Sequence, residues 1–208
     1  MGRHEGLRIS TGLHGLLLLG SLCVSTAALG GAAAPAAPGA AAVAYRAVAG
    51  KSTLDFVGVQ AGAPFKAAFH RFSAAILFAP QALAQSHLDV LIDMNSADSA
   101  DKDRDGTMRG ADIFDVTRWP TAHYATRSIV KTGAGYSAIG SLTLRGVTKD
   151  VPITFQFALT PGGAKLTGNA ALKRLDFGVG QGDWRNTQWV GNDVKIAFSL
   201  VLMPKQRP

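Results

Sequence analysis

After residue 50 the chain keeps placing an apolar side chain at every second position. Leu88, Val90, Ile92 and Met94 alternate with Asp89, Leu91 and Asp93. Ile153, Phe155, Phe157 and Leu159 alternate with Thr154, Gln156 and Ala158, and Ile196, Phe198, Leu200 and Leu202 with Ala197, Ser199 and Val201. Leu54 and Phe56 flank Asp55, and Tyr136–Leu144 and Leu166–Leu172 are further candidates. A period of two puts one set of side chains on one sheet face, so each run predicts a half-buried strand. Turn residues divide the runs: Thr132 to Gly135, Arg145-Gly146, Pro161-Gly162-Gly163 and Gly191-Asn192-Asp193. About eight strands result, with one helical interruption near 107–114 and no sustained helical periodicity downstream of the N-terminus. An antiparallel sheet with one apolar face must close on itself or pack against a second sheet. Spacing alone leaves barrel and sandwich both open. It also leaves open whether the phenylalanines fill a core or line a cavity.

The first 42 residues follow other rules. Arg3 and Arg8 precede an apolar stretch from Leu13 to Ala28, and small residues follow. That order predicts a secretory signal over 1–30, cut after Ala27 or Gly30. An uncleaved anchor is the alternative, but the stretch falls short of a spanning helix of about 20 residues. Residues 31–42, rich in Ala, Pro and Gly, read as a linker, and 43–204 as one domain. Cys23, the only cysteine, lies in the apolar stretch after Leu22, so the mature chain is expected to lack thiol, disulfide and Cys-ligated metal. From Pro35 to Pro208, 19 Lys and Arg stand against 13 Asp and no Glu, a net charge of +6. These cations are scattered, with no run of four, which argues against a nucleic-acid stripe and leaves weak attraction to anionic lipid.

The stretch Leu91–Tyr124 admits two readings. Asp101, Asp103, Asp105, Gly106 and Asp112 occupy positions 1, 3, 5, 6 and 12 of a calcium loop. Position 12 normally needs Glu, a strand precedes the loop, and Lys102, Arg104 and Arg109 sit among the ligands, so no metal site is assigned.

The second reading rests on motifs in order. Ser52 to Phe56, Phe69 to Ser73 with Ala75 to Phe78, and Arg104-Asp105 with Met108-Arg109 come first. Asp112 to Val116, Trp119-Pro120, Gly140 to Lys149 and Arg174 to Gly180 follow. Together they resemble the YceI-like, polyisoprenoid-binding family of the bacterial envelope. Ala68 and Ile113 depart from its usual Gly and aromatic, and Gln181–Gln188 is family-variable.

The resemblance implies an all-β fold, a single eight-stranded extended antiparallel barrel of lipocalin-like form. It implies a barrel lined by Leu54, Phe56, Phe72, Leu88, Val90, Ile92, Met94, Leu142, Leu144, Ile153, Phe155, Phe157, Ile196, Phe198 and Leu200. Its partner is a hydrophobic small molecule: a polyprenyl lipid, a quinone or a fatty chain. No cofactor beyond such a lipid is implied. Arg71, Arg109 and Arg174 are candidates to meet a polar head, or to pair with Asp105, Asp112 or Asp176 instead. A periplasmic location, transient membrane contact and an undetermined oligomeric state, compatible with a homodimer, complete the expectation.

Catalysis finds little support. His70, His87 and His123 are isolated in sequence, and HExxH, HxxxH and GxSxG are absent. Gly178 to Gly182 is glycine-rich but lacks the helix and Lys-Ser/Thr of a phosphate loop. The expected role is non-enzymatic sequestration or transport. An envelope enzyme acting on a bound lipid, or a ligand-free interaction module, are the alternatives.

Overall fold

The computed structural model describes residues 42–205. The expected signal segment 1–30, Cys23 and nearly all of the expected linker lie outside the described residues. Eleven strand segments form one antiparallel sheet: β1 Val43–Ala47, β2 Thr53–Gln60, β3 Ala63–Phe69, β4 Phe72–Phe78, β5 His87–Asp93 and β6 Ala97–Asp98 in the first half. The second half holds β7 Thr121–Thr132, β8 Gly135–Leu144, β9 Val147–Thr160, β10 Gly163–Lys173 and β11 Asp193–Pro204.

Three of the eight expected strands are broken in two. β1 and β2 both lie along β11, β1 at Leu202 to Pro204 and β2 at Lys195 to Ser199. Likewise β1 pairs with β4 and β2 with β3, while β5 pairs with β4 and β6 with β3. Strands β7 to β11 then follow as a meander back to the start. The sheet therefore closes as an eight-stranded barrel, with only the two-residue β6 left paired on one side.

The breaks explain why alternation alone undercounts the segments. The chain bends at His70–Arg71 beside a turn at Met94–Ser96, and the two are stitched together. His70 N–H donates to the Ser96 carbonyl (3.2 Å), Asp93 N–H to the Arg71 carbonyl (3.0 Å), and Arg71 N–H to Ser96 Oγ (3.0 Å). Each break shifts the inward phase by one residue. Phe69 and Phe72, an odd number apart, consequently both face the interior. A bulge between Thr126 and Ser128 does the same in β7, passing the inward phase from Ala122, Tyr124 and Thr126 to Ile129.

The one α-helix among the described residues, α1, spans Lys102–Arg109 and so begins earlier than the expected 107–114. Asp101 fixes its start by accepting from the N–H groups of Asp103 and Arg104, each at 3.1 Å, an N-cap that periodicity does not register. The rest of the expected span, from Gly110 on, is turn. This segment lies across one end of the barrel, tied down by Arg145, whose Nη2 donates to the Ala111 carbonyl (2.6 Å), and by Gly180 and Gln181, whose N–H groups donate to the Asp112 carbonyl (2.9 and 2.8 Å). The Arg145-Gly146 hairpin that reaches it has φ +51° and +74°, as a type I′ turn requires. A Cβ on Gly146 would sit 2.6 Å from the Trp119 ring, so only glycine lets the tryptophan pack there.

Candidate functional site

The interior changes character along its length. On β11 the inward residues Val194, Ile196 and Phe198 are half-buried, whereas Leu200 and Leu202 are buried. The first four face a cavity of about 440 Å³ at the α1 end. Beyond it five aromatic rings fill the barrel. Phe78 is the hub, with centroids 4.4 Å from Phe157, 5.0 Å from Tyr136 and 5.9 Å from Phe155. Tyr136 stacks on Phe155 at 5.3 Å, and Tyr45 meets Phe157 edge-on at 5.7 Å. These distances suit favourable edge-to-face and offset packing.

Thirteen of the fifteen residues expected to line the interior reach the cavity. Leu54, Phe56, Phe72, Leu88, Val90, Ile92 and Met94 come from the first half of the chain. Leu142, Leu144, Ile153, Ile196, Phe198 and Leu200 come from the second. Phe155 and Phe157 do not line it. They have the right phase but lie in the aromatic plug, where their rings are met by Phe78. Leu159, next in that phase, lies past the plug and is 75% exposed.

Alternation does not find the roof and part of the wall. Met108, Ile113 and Phe114 descend from α1 and the segment after it, and Phe65 and Phe69 come from β3. Running the inward phase of β3 backwards from Phe69 reaches Ala67 and Phe65 and would have found both rings. The roof carries no such signal, because its apolar residues follow neither a strand nor a helix period.

The polar lining gathers near α1. Asp103 and Thr107 are exposed yet line the cavity, so it opens to solvent there. Arg104 Nε donates to Ser99 Oγ (2.9 Å), and its guanidinium lies 4.8 Å from the centre of the Phe65 ring, a cation–π contact at the rim. Phe65 in turn covers Gly58, where a Cβ would come within 2.8 Å of the ring. Deeper in the wall, the Tyr124 hydroxyl donates to the Val151 carbonyl (3.2 Å), and burial pushes its pKa up to about 12.

The three arginines part company. Arg174 lines the cavity, is 4% exposed, and has no carboxylate partner among the described residues. Its guanidinium donates to three backbone carbonyls, Val190 (2.7 Å), Val179 (2.9 Å) and Gly191 (3.0 Å), and burial lowers its pKa. Gly180, at φ +96°, makes room for it; a Cβ there would lie 1.9 Å from Nη1. Arg174 thus clamps the loop over the cavity, and all its bonds are to backbone. Arg71 points outward to Asp93 (2.8 Å), because the break turns it away from the barrel. Arg109 donates to the carbonyls of Asn95 (3.2 Å) and Ala97 (3.0 Å), holding α1 against the β5–β6 turn. Neither lines the cavity, and none of the three pairs with Asp105, Asp112 or Asp176.

The aspartates of the calcium-loop pattern take other roles in the fold. Asp101 caps α1, Asp103 is exposed, and Asp105 turns back to accept from the Ser99 N–H (2.8 Å) and Oγ (2.7 Å). Helical backbone over 102–109 sends the carboxylates in different directions, and among the described residues no cluster of three or more His, Cys, Asp or Glu is placed to hold a metal ion. Histidine–aspartate pairs do exist, His70 with Asp98 (3.0 Å) and His123 with Asp89 (2.9 Å). Both lie on the outer wall, and neither they nor His87 lines the cavity.

Comparison with known proteins bears on this architecture. The YceI-like domain profile matches residues 45–202. UPF0312 proteins of Yersinia pestis (strain Pestoides F) and Yersinia enterocolitica are 34% and 30% identical over 119 residues, 53% of this chain. The match spans 61% of the length of those relatives. Among solved structures, Burkholderia cenocepacia BcnA is 32% identical with a TM-score of 0.71, covering 74% of this chain and 98% of that one. A polyisoprenoid-binding domain from Saccharophagus degradans, 18% identical with a TM-score of 0.61, covers 78% of this chain and 99% of its own and shares the fold. The match over 45–202, together with the closed eight-stranded barrel, places the chain in the YceI-like family.

Proposed function

We propose that this protein is a non-enzymatic carrier or sequestering protein of the periplasm, holding the chain of an isoprenoid, quinone or similar lipid in the barrel. The observation that carries the reading is the cavity of about 440 Å³, walled almost wholly by apolar side chains and opening beside α1. A pocket of that size and lining suits a small apolar ligand. Burying apolar area yields about 25 cal/mol per Å², or roughly 0.8 kcal/mol per methylene, so an isoprene unit gains on the order of 3 kcal/mol before ordering costs. No charged contact is needed for tight binding. The name of the Saccharophagus degradans relative supports the ligand class. The charged, apolar and small order of residues 1–30 supports export.

The alternatives lack their own observation. The His–Asp pairs give an enzyme acting on the lipid no support, because they stand outside the cavity. A ligand-free module needs the rings to fill the interior, and they fill one end.

The test is intact mass spectrometry of protein purified from the periplasm without detergent, followed by lipid extraction. An isoprenoid, quinone or fatty species near one per chain is the expected result. A chain that is empty, and stays empty when offered quinones and polyprenols, overturns the carrier reading.

A further inference from the structure

The two ends of the barrel differ in charge as well as in filling. The end opposite α1 is built from the segments 43–51, 76–87, 128–137, 156–165 and 200–205. They carry Arg46, Lys51, Lys131, Lys165 and Lys205, all exposed, and no aspartate or glutamate. Among the described residues none of these five cations belongs to an ion pair. The same segments hold five of the eight large apolar side chains that the described surface exposes: Val43, Leu77, Val130, Leu159 and Met203, with Leu159 at 75% the most exposed. Leu77 precedes Phe78, Val43 lies two residues before Tyr45, and Leu159 lies two after Phe157. Val130 adjoins Lys131, which pairs with Tyr136, and Met203 pairs with Arg46. Apolar and cationic side chains therefore alternate around one rim.

We infer that this rim docks on an anionic lipid surface, with Leu159, Met203 and Val43 entering the headgroup layer and Arg46, Lys131, Lys165 and Lys205 among the lipid phosphates. The charge here has one sign, which an anionic leaflet complements. Long lysine and arginine stems lie along apolar surface while their heads reach phosphate, so both kinds of side chain are satisfied at the same depth. The exposed apolar residues come from β1, β4, β7, β9 and β11, strands spread around the barrel. A fluid surface accepts such a ring without the groove that a protein segment would need. The cavity opens at the other end, beside α1, so this pose leaves the opening facing water. The inference stands apart from what the cavity holds, and it adds to the carrier reading that exchange takes place away from the docked bilayer.

Vesicle cosedimentation tests the pose, using the exported protein purified without detergent. Binding to vesicles of equal parts phosphatidylcholine and phosphatidylglycerol should exceed binding to pure phosphatidylcholine by at least about tenfold. It should weaken as added salt shortens the screening length. Each lysine or arginine held at an anionic surface is worth about fivefold in partition. Lys131→Glu combined with Lys165→Glu should therefore lower binding by at least about 25-fold. Lys102→Glu combined with Lys173→Glu makes the same change in net charge at exposed positions of the α1 end, and should lower it less than about threefold.

Leu159→Ser combined with Met203→Ser, both at exposed positions, should weaken binding to the mixed vesicles by about tenfold. Equal binding to the two vesicle compositions overturns the proposal. Binding to neither also overturns it, and leaves the rim to an acidic protein. An equal loss from the two lysine pairs overturns it as well, because net charge rather than this face would then account for the binding. None of these results depends on the cavity, so the carrier reading is decided separately by lipid extraction.

Discussion

The α1 end and the plug end of this barrel are built on the same alternation, yet one encloses space and the other fills it. Along β11, Val194, Ile196, Phe198 and Leu200 line the cavity, while Leu202 does not line it and is buried. The difference lies in what stands opposite. At the plug end, Phe78, Tyr136, Phe155, Phe157 and Tyr45 converge from four strands and consume the volume. At the α1 end, the breaks at Val48–Ser52, His70–Arg71 and Met94–Ser96 carry β2, β3 and β6 outward as an extension of the wall. The space they enclose is roofed by Met108, Ile113 and Phe114 and never filled. One end supplies stability; the other trades it for a place to bind.

Truncating one phenylalanine at each end measures that division. Phe78→Ala removes the hub of the plug, which has nowhere to collapse, and should cost about 3–5 kcal/mol, or about 10 °C in Tm. Phe72→Ala removes a ring that already borders empty space. Its loss should stay below about 1.5 kcal/mol, because the cavity term is largely present beforehand. Urea titration of both variants gives the comparison. Equal losses would show that the α1 end is packed as tightly as the plug.

The sequence carried the first-order part of this picture. About eight strands and the inward phase of several follow from period-two runs and turn chemistry, while closure into a barrel and the lining role of thirteen residues come with the family resemblance. What it could not show is depth along the barrel. Phe155 and Phe198 are both inward aromatics in alternating strands, and register sets them on either side of Gly168. One ends in the plug and the other on the cavity, according to which rings arrive from β4 and β8. The breaks were equally hidden, since a phase shift at His70–Arg71 depends on a buried Ser96 more than twenty residues later. Arg174 was legible as a candidate, but not as a clamp on three carbonyls, because its partners carry no side-chain signature.

Alkaline pH sharpens the contrast, because Tyr124 stands in the wall of the cavity half. Burial holds its pKa at about 12 in the folded protein, against about 10 in the unfolded chain. Above pH 10 the unfolded state releases this proton while the folded state keeps it, so stability falls as pH rises from 10 toward 12. The contribution is full below pH 10, and the loss approaches about 2–3 kcal/mol at pH 12. Tyr124→Phe should remove that slope from the stability–pH curve. A phenol in a water-filled cavity would titrate near 10, and the two curves would then run parallel.

The smallest effect belongs to acid, and it too should be confined to one end. Three aspartates beside the breaks and α1 are held below the usual carboxylate range. For Asp93 the leading cause is the hydrogen bond from Arg71, for Asp98 the one from the Ala100 N–H, and for Asp101 the one from the Arg104 N–H. A depressed folded pKa means that the folded state favours the charged form. The stabilisation is therefore complete above about pH 4 and disappears as pH falls through the lowered values. All three groups are well exposed, so screening keeps the contribution to global stability small. Its local consequence is more informative. Hydrogen exchange should show the first turn of α1 and the Asp98–Ala100 segment opening below pH 4, while amides flanking the plug, such as those of Ile76 and Leu166, keep their protection. Asp101→Ala should produce the same opening of α1 at neutral pH, since it removes the cap that protonation weakens. If plug amides were to loosen at the same pH as α1, the two ends would be one cooperative unit, and a cavity that opens by itself could not be the route by which a ligand comes and goes.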